Sequence, residues 1–137
     1  YKIRRYDIKG KKYLSSNDKY YLSDHTFRYA KLGTKNMDYG RMLENIVAIE
    51  LLRRGYEVYV GVLHKKEIDF VAIKRNEKIY IQVCVELPTE STRETDNLME
   101  IKDHYHKYVV CRDTLAIGND NGIEITHIAD FLLKENW

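Results

Sequence analysis

The hydrophobic periodicity of this chain changes from a helical to an extended repeat at Gly55. Over residues 38–54, apolar side chains recur at the three- and four-residue spacing of an amphipathic helix. Asp38 can cap the start of this helix, and two arginines followed by Gly55 supply a basic last turn and a stop. Over residues 56–62, apolar and polar side chains alternate as they do in a half-buried strand. The sequence therefore predicts a helix followed directly by a strand.

Two further strand-like runs follow, over residues 67–73 and 79–85, and the polar residues 74–78 join them. Short polar connections are typical of hairpins, so we expect the three strands to form an antiparallel meander. The other elements predicted in this part are a helix over 91–104, a buried strand over 108–111, a short strand over 123–126 and a terminal helix over 127–133. From residue 38 onward the sequence predicts a mixed α/β fold.

The N-terminal quarter of the chain is strongly basic. Residues 1–37 carry ten Lys and Arg against three Asp, a net +7, whereas the remainder carries thirteen against eighteen acids, a net −5. Within this segment, tyrosine-containing runs at residues 12–14 and 20–22 flank a polar stretch and predict a hairpin. A short helix over 24–32, closed by Gly33, is predicted to follow.

This basic segment has two interpretations. Positive charge interleaved with tyrosine can bind nucleic acid through phosphate contacts and base stacking. Alternatively, the tyrosines pack on one face of an exposed hairpin while the lysines keep the other face solvated. The candidate nucleic-acid-binding residues are Arg4, Arg5, Lys9, Lys11, Lys12 and Lys19.

Composition excludes several classes of protein. No window approaches eighteen consecutive apolar residues, so no membrane-spanning helix is predicted. One Pro and 7 Gly argue against a linker or a collagen-like chain. Cys84 and Cys111 both lie in apolar, strand-like runs, which is typical of reduced core cysteines and predicts a cytoplasmic protein.

Three polar residues stand where the pattern favours apolar ones. Glu44 falls on the apolar face of the predicted helix, and Asp69 and Gln82 interrupt two of the predicted strands. If the turn is centred between residues 75 and 76, Asp69 lies opposite Gln82, and Glu67 lies opposite Cys84 on the same face.

Such an oxygen-rich cluster suits Mg²⁺ or Mn²⁺. The purely structural alternative is that each residue satisfies a neighbour. Asp69 then bonds to backbone or to Lys65 or Lys66, and Glu44 meets Arg41 or a tyrosine hydroxyl.

Four stretches of the chain resemble a known family. They are Gly40–Asn45, Leu51–Val58, Lys66–Val71 and Ile79–Val83, and they resemble the C-terminal domain of unknown function of a prokaryotic AAA-type ATPase family. Members of that family carry the nucleotide-binding motor at the N-terminus and end in a domain similar to the PD-(D/E)XK nucleases. The resemblance implies a restriction-endonuclease-like core over residues 38–137. Residues 1–37 are then a basic hairpin and linker that joins the core to an ATPase domain absent from this chain, which has no Gly-Lys-Ser/Thr phosphate loop.

The resemblance also implies a degenerate catalytic site. Glu44 matches the helix acid and Asp69 the strand aspartate of the nuclease superfamily, whereas Gln82 and Cys84 stand where its glutamate and lysine are found. Glu44, Asp69 and Gln82 are then the candidate ligands for Mg²⁺ or Mn²⁺. A lysine could migrate into the site from Lys65, Lys66 or Lys102, and Glu86 is a further candidate ligand.

We therefore expect a degenerate nuclease-like module, C-terminal to an AAA-type ATPase, that binds DNA or a partner protein without cleaving. Cys84 cannot supply the positive charge of the missing lysine, and the loss of one such group commonly costs about a hundredfold in rate. The alternative is an active Mg²⁺-dependent DNA nuclease with a migrated lysine. A third possibility is a pure interaction domain, joined to the ATPase by the basic segment.

Overall fold

The computed structural model describes residues 1–34, 37–87 and 93–137, and the strands in these ranges form one mixed sheet. The strands are β1 Lys2–Asp7, β2 Lys12–Tyr20, β3 Glu57–Leu63, β4 Lys66–Lys74, β5 Glu77–Cys84, β6 His106–Cys111, β7 Gly118–Asp120 and β8 Ile123–His127. The helices are α1 Thr26–Leu32, α2 Tyr39–Arg53, α3 Arg93–Met99 and α4 Ile128–Leu133. The strand order across the sheet is β2-β1-β3-β4-β5-β6-β8-β7. The mixed α/β fold predicted from the sequence is confirmed.

Helix α2 forms where the periodicity predicts it. The Asp38 side chain accepts the backbone N–H of Arg41 at 3.1 Å, which caps the first turn. The side chains that face the sheet are buried: Leu43, Val47, Ala48 and Leu51. Gly55, with a φ of +80°, takes the left-handed conformation that lets the chain leave the helix and enter β3.

Strands β3, β4 and β5 form the predicted antiparallel meander. Phe70 pairs with Ile81 and Lys74 pairs with Glu77, which is the predicted register. The two residues between β4 and β5 form a tight turn, and Arg75 has a φ of +56° there. The order of helix, three strands, helix and strand is likewise as predicted.

An N-terminal hairpin is present, but the pair of strands predicted to form it is wrong. The hairpin pairs β1 with β2, and its turn lies at residues 8–11, where Asp7 Oδ1 accepts the backbone N–H groups of Lys9 and Gly10. The polar stretch predicted as the turn lies within β2, where the register shifts between Ile3 and Arg5. It is a bulge in a continuous strand. The hairpin extends the sheet, because β1 pairs parallel with β3.

Two core clusters cover the two faces of the sheet. On the α2 face, Val47, Ala48 and Leu51 pack with Phe70, Ile81 and other strand residues. On the α3 face, Leu98 packs with Ile68, Tyr80 and other strand residues. Cys84 packs against the α3-face cluster, whereas Glu44 bonds to Tyr21 of the α2-face cluster.

Some predicted boundaries differ from the structure. Helix α3 ends at Met99 instead of continuing to residue 104, and residues 91 and 92 lie outside the described ranges. Strand β7 was not predicted. In the parts of the chain that are described, no helix is long and apolar enough to cross a bilayer.

Candidate functional site

Glu44 points from α2 toward the N-terminal hairpin. Its Oε1 atom accepts a hydrogen bond from the Tyr21 hydroxyl at 2.5 Å and lies 2.9 Å from the Lys19 ammonium. Tyr21 is buried against Phe70 in the α2-face cluster, which fixes the direction of its hydroxyl. The alternative in which Glu44 meets a tyrosine hydroxyl is therefore the arrangement found.

Lys19 connects Glu44 to a second acid. Its ammonium lies 2.6 Å from Glu67 Oε1, and the other oxygen of Glu67 lies 2.6 Å from the Arg5 guanidinium. One ammonium from β2 therefore bridges carboxylates on α2 and β4. All three donors (Arg5, Lys19 and Tyr21) come from the N-terminal segment, and both acids come from the part after residue 38.

Asp69 and Gln82 contact each other, as the register predicts. The backbone N–H of Asp69 donates to Gln82 Oε1 at 3.3 Å, and Asp69 Oδ2 accepts the backbone N–H of Val83 at 2.8 Å. Gln82 is buried. Both side chains thus bond to backbone N–H groups at the end of the β4–β5 ladder.

Cys84 lies apart from the acids of the α2 face. The register of β3 and β4 shifts between Tyr59 and Gly61, because β4 has an extra residue opposite β3 there. Strand β4 consequently presents Ile68 to the α3 face and Phe70 to the α2 face. Cys84 packs against the α3-face cluster, whereas Glu67 bonds to Lys19. The prediction that Glu67 and Cys84 share a face is therefore wrong.

The lysines proposed to migrate into the site are engaged or exposed elsewhere. Lys66 pairs with Glu100 at 2.5 Å, Lys102 donates to the carbonyl of Met99, and Lys65 is exposed in a turn. Glu86 is exposed and lies 3.9 Å from Arg112. The lysine that does reach the acids is Lys19, which the sequence had indicated only as a nucleic-acid contact.

Charge pairing shifts the pKa values of the groups in the cluster. Burial lowers the pKa of the Lys19 amine, but hydrogen bonds to Glu67 and Glu44 outweigh burial and leave that pKa above its ordinary value. Burial raises the pKa of Glu67, but Lys19 and Arg5 outweigh it and hold that pKa below its ordinary value. The pKa of Tyr21 is raised by burial and by the carboxylates of Glu44, Asp69 and Glu67. Both carboxylates that Lys19 bridges are therefore bound by positively charged or hydroxyl donors of the protein.

The arrangement does not fit a divalent cation. Such an ion needs several oxygen ligands that converge on one point and are free to coordinate it. Among the residues that the structure describes, no three Asp, Glu, His or Cys side chains are placed to hold one metal. Instead, Glu44 Oε1 accepts from Lys19 and Tyr21, and the two oxygens of Glu67 accept from Lys19 and Arg5.

The six predicted nucleic-acid contacts divide into two groups. Arg5 and Lys19 are paired with the acids of the site, while Arg4, Lys9, Lys11 and Lys12 are exposed. The nearby tyrosines pack together on the α3 face: the ring centroids of Tyr6, Tyr13 and Tyr59 are 5.1–5.8 Å apart. Nucleic-acid binding by the exposed group stays a prediction.

A groove of about 560 Å³ opens beside Glu44, between α1 and the start of α2. Helix α1 buries none of its side chains, and Phe27 and Leu32 are 67% and 71% exposed. Tyr20 and Leu22 add further exposed apolar surface next to it. Tyr20, Leu22 and Leu32 line the groove, and we call these three residues, together with the exposed Phe27 of the same helix, the α1 patch. Large apolar side chains grouped on a surface are typical of a protein-binding site.

Comparison with known proteins identifies a domain family. The family described as a domain of unknown function, DUF4143, matches residues 39–131. A protein of Haemophilus influenzae, described as uncharacterized, is 48% identical over 134 residues, which are 98% of this chain and 33% of that protein. An uncharacterized protein of Methanocaldococcus jannaschii is 36% identical over 91 residues, 64% of this chain and 19% of that protein. The matched residues thus make up about a third of the length of the Haemophilus influenzae protein and about a fifth of the length of the Methanocaldococcus jannaschii protein. No solved structure matches it significantly.

Proposed function

The chain belongs to the DUF4143 domain family, and we propose that it is a nuclease-like module of an AAA-type ATPase that binds a partner without cleaving nucleic acid. DUF4143 domains often stand at the C-terminus of AAA-type ATPases. The Haemophilus influenzae relative is about three times as long as this chain, which leaves room for such a motor. The ATPase activity then belongs to the motor part of the polypeptide.

The nuclease-like ancestry rests on element order and on two acids. The order helix, three strands, helix and strand agrees with a restriction-endonuclease-like core, and Glu44 and Asp69 stand at the positions that the resemblance gives to acids. Gln82 and Cys84 replace two other groups of that site.

The observation that carries the absence of cleavage is the Lys19 bridge. Its ammonium neutralises Glu44 and Glu67 from 2.9 and 2.6 Å, and Arg5 binds the remaining oxygen of Glu67. Metal-dependent hydrolysis needs a cation that is held by such oxygens and that activates a water. Acids whose charge protein donors already neutralise serve as structural groups.

The α1 patch favours a protein as the bound partner. Phe27 and Leu32 extend from a helix that buries none of its own residues, and such anchors gain most when a partner protein covers them. The partner that we propose is the ATPase part of the same polypeptide, because the longer relatives extend well beyond the matched residues. Arg28 and Lys31 lie on the same helix, so an acidic partner surface would complement its charge.

Hydrogen exchange on the Haemophilus influenzae relative tests this docking. The full-length protein and its matched third are compared, and the amides of the helix that corresponds to α1 should exchange more slowly in the full-length protein. The helix that corresponds to α4, on which the α1 patch does not lie, is the control. Equal exchange of the α1 helix in both would contradict docking.

An active nuclease is the second candidate, because Lys19 supplies an ammonium beside the acids where Cys84 cannot. Incubation of the 137-residue chain with supercoiled plasmid, in Mn²⁺ or in EDTA, separates the two functions. We expect intact plasmid in both. Nicking that needs Mn²⁺ and is lost in Asp69→Ala would establish the nuclease.

A further inference from the structure

Glu44 and Glu67 reach one point in space from different elements. Glu44 lies on α2 and Glu67 on β4, yet the Lys19 ammonium contacts an oxygen of each, at 2.9 and 2.6 Å. The Glu44 and Lys19 side chains are only 19% and 27% exposed. A positive charge at this point is therefore held by two carboxylates with limited access to water.

The Tyr21 hydroxyl is a further donor at this point, because it donates to the same Oε1 atom of Glu44. Without a cation the repulsion between Glu44 and Glu67 would be costly, so a neutralising charge is required between them.

The sequence supplies that charge from the N-terminal segment. The basic first 37 residues, with a net +7, complement the remaining part with its net −5. Arg5 and Lys19 come from the basic part, and Glu44 and Glu67 come from the acidic part. The family match over residues 39–131 contains the acids and leaves Arg5, Lys19 and Tyr21 outside it.

We infer that the Lys19 ammonium takes the place of a divalent cation in this nuclease-like site, so that the N-terminal hairpin, and no metal, neutralises its carboxylates. This inference rests on the nuclease-like ancestry in the proposed function. Lys19 and a divalent cation then exclude each other. Removal of the Lys19 amine leaves Glu44 and Glu67 facing an open position, and a hard cation held by two carboxylates and waters can enter it.

The test compares Mn²⁺ binding by the wild-type chain, Lys19→Met and Lys12→Met. Methionine keeps the length of the lysine side chain and removes its charge. Lys12 lies at the exposed end of the same strand, so Lys12→Met controls for the loss of one positive charge. Binding is followed by the electron paramagnetic resonance signal of free Mn²⁺, and the melting temperature is measured in Mn²⁺ and in EDTA.

We expect Lys19→Met to melt at a lower temperature in EDTA, to be restabilised by Mn²⁺ and to bind Mn²⁺ at least about tenfold more tightly than the wild type. Lys12→Met should behave as the wild type does. Addition of Glu67→Gln to Lys19→Met should weaken the gained Mn²⁺ binding, because Glu67 is one of the two carboxylates that contact this position. If Lys19→Met does not fold, Lys19→Gln, which keeps a hydrogen-bond donor, carries the same expectation.

The inference is overturned if the variant without Lys19 binds Mn²⁺ no better than Lys12→Met, or if the wild-type chain already binds it as tightly. Plasmid cleavage by the wild-type chain is a different result, which would overturn the proposed function. The two failures are therefore distinguishable by separate measurements on the same protein.

Discussion

The Asp69 carboxylate accepts the backbone N–H of Val83 at 2.8 Å, just beyond Phe70 and Ile81, the last paired residues of β4 and β5. The extra residue of β4 lies in this region and interrupts the regular ladder. Asp69 therefore continues the connection between the two strands with its side chain. The aspartate that resembles a catalytic residue has a structural function in this chain.

Asp69→Ala should lower the free energy of unfolding without any metal present. The substitution removes the acceptor for the Val83 N–H, and an unpaired, part-buried donor costs about 1–3 kcal/mol. Urea denaturation in EDTA measures the loss. Asp69→Asn keeps an acceptor oxygen and should lose less. Wild-type stability of the Ala variant in EDTA would show that the bond contributes nothing.

The ion pairs of Glu67 predict a dependence of stability on pH. Burial raises the pKa of Glu67, but Lys19 and Arg5 outweigh it, so the pKa in the folded protein is below that in the unfolded chain, about 4.3. The contribution to stability is complete above the unfolded value and is lost as pH falls through the folded value.

Glu67→Gln lacks this contribution. The difference in urea midpoint between the wild type and Glu67→Gln should therefore be largest at neutral pH and should shrink as the pH approaches 3. Glu77 is the exposed first residue of β5, and the variant Glu77→Gln serves as a control for removal of a carboxylate. A difference that stays constant with pH would contradict the ion-pair account.

Arg54, at the end of α2, contacts residues of the C-terminal segment. Its guanidinium donates to the carbonyl of Leu132 at 2.9 Å, bonds to Glu50 at 2.6 Å and lies 4.0 Å from the ring centroid of Trp137. Lysine cannot reproduce this planar set of contacts. Arg54→Lys should therefore lower the free energy of unfolding by about 1.5–3 kcal/mol.

Arg53 provides the matched control for Arg54. It is 67% exposed and pairs with the same Glu50, so Arg53→Lys should change stability by less than about 1 kcal/mol. Fluorescence of Trp137, the one tryptophan of the chain, reports on the C-terminal segment during unfolding. Equal effects of the two substitutions would show that the contacts with Trp137 and the carbonyls are unimportant.

Local patterns predicted the parts of the fold that depend on local interactions. The cap at Asp38 and the two-residue turn of Arg75 and Asn76 determine α2 and the β4–β5 register from neighbouring residues. Strand β1 was missed, because Arg4 and Arg5 interrupt its apolar residues and its stability comes from β2 and β3. The polar bulge in β2 has the composition of a turn, which placed the predicted hairpin wrongly.

In the candidate site, too, the contacts that depend on local structure were predicted and the long-range contacts were not. The contact between Asp69 and Gln82 follows from strand register and was predicted. Lys19 contacts residues that are 25 and 48 positions away in sequence, on elements whose packing no local pattern specifies. Its position in a basic, tyrosine-rich segment favoured nucleic-acid binding. The charge asymmetry of the sequence was the signal that could have indicated an internal use of these cations.

Because Arg5 and Lys19 pair with acids of the same chain, we predict that the chain binds DNA weakly. Only lysines that remain exposed can replace counterions at phosphates, and each contact contributes about 0.9 to the slope of log affinity against log salt. Lys9→Gln, Lys11→Gln and Lys12→Gln combined should therefore remove the residual affinity for a labelled duplex at low salt, measured by fluorescence anisotropy. Lys19→Gln should leave that affinity within about twofold of the wild type, because Glu44 and Glu67 already hold its ammonium. A large loss in Lys19→Gln, with the fold intact by circular dichroism, would instead place Lys19 on a DNA-binding surface.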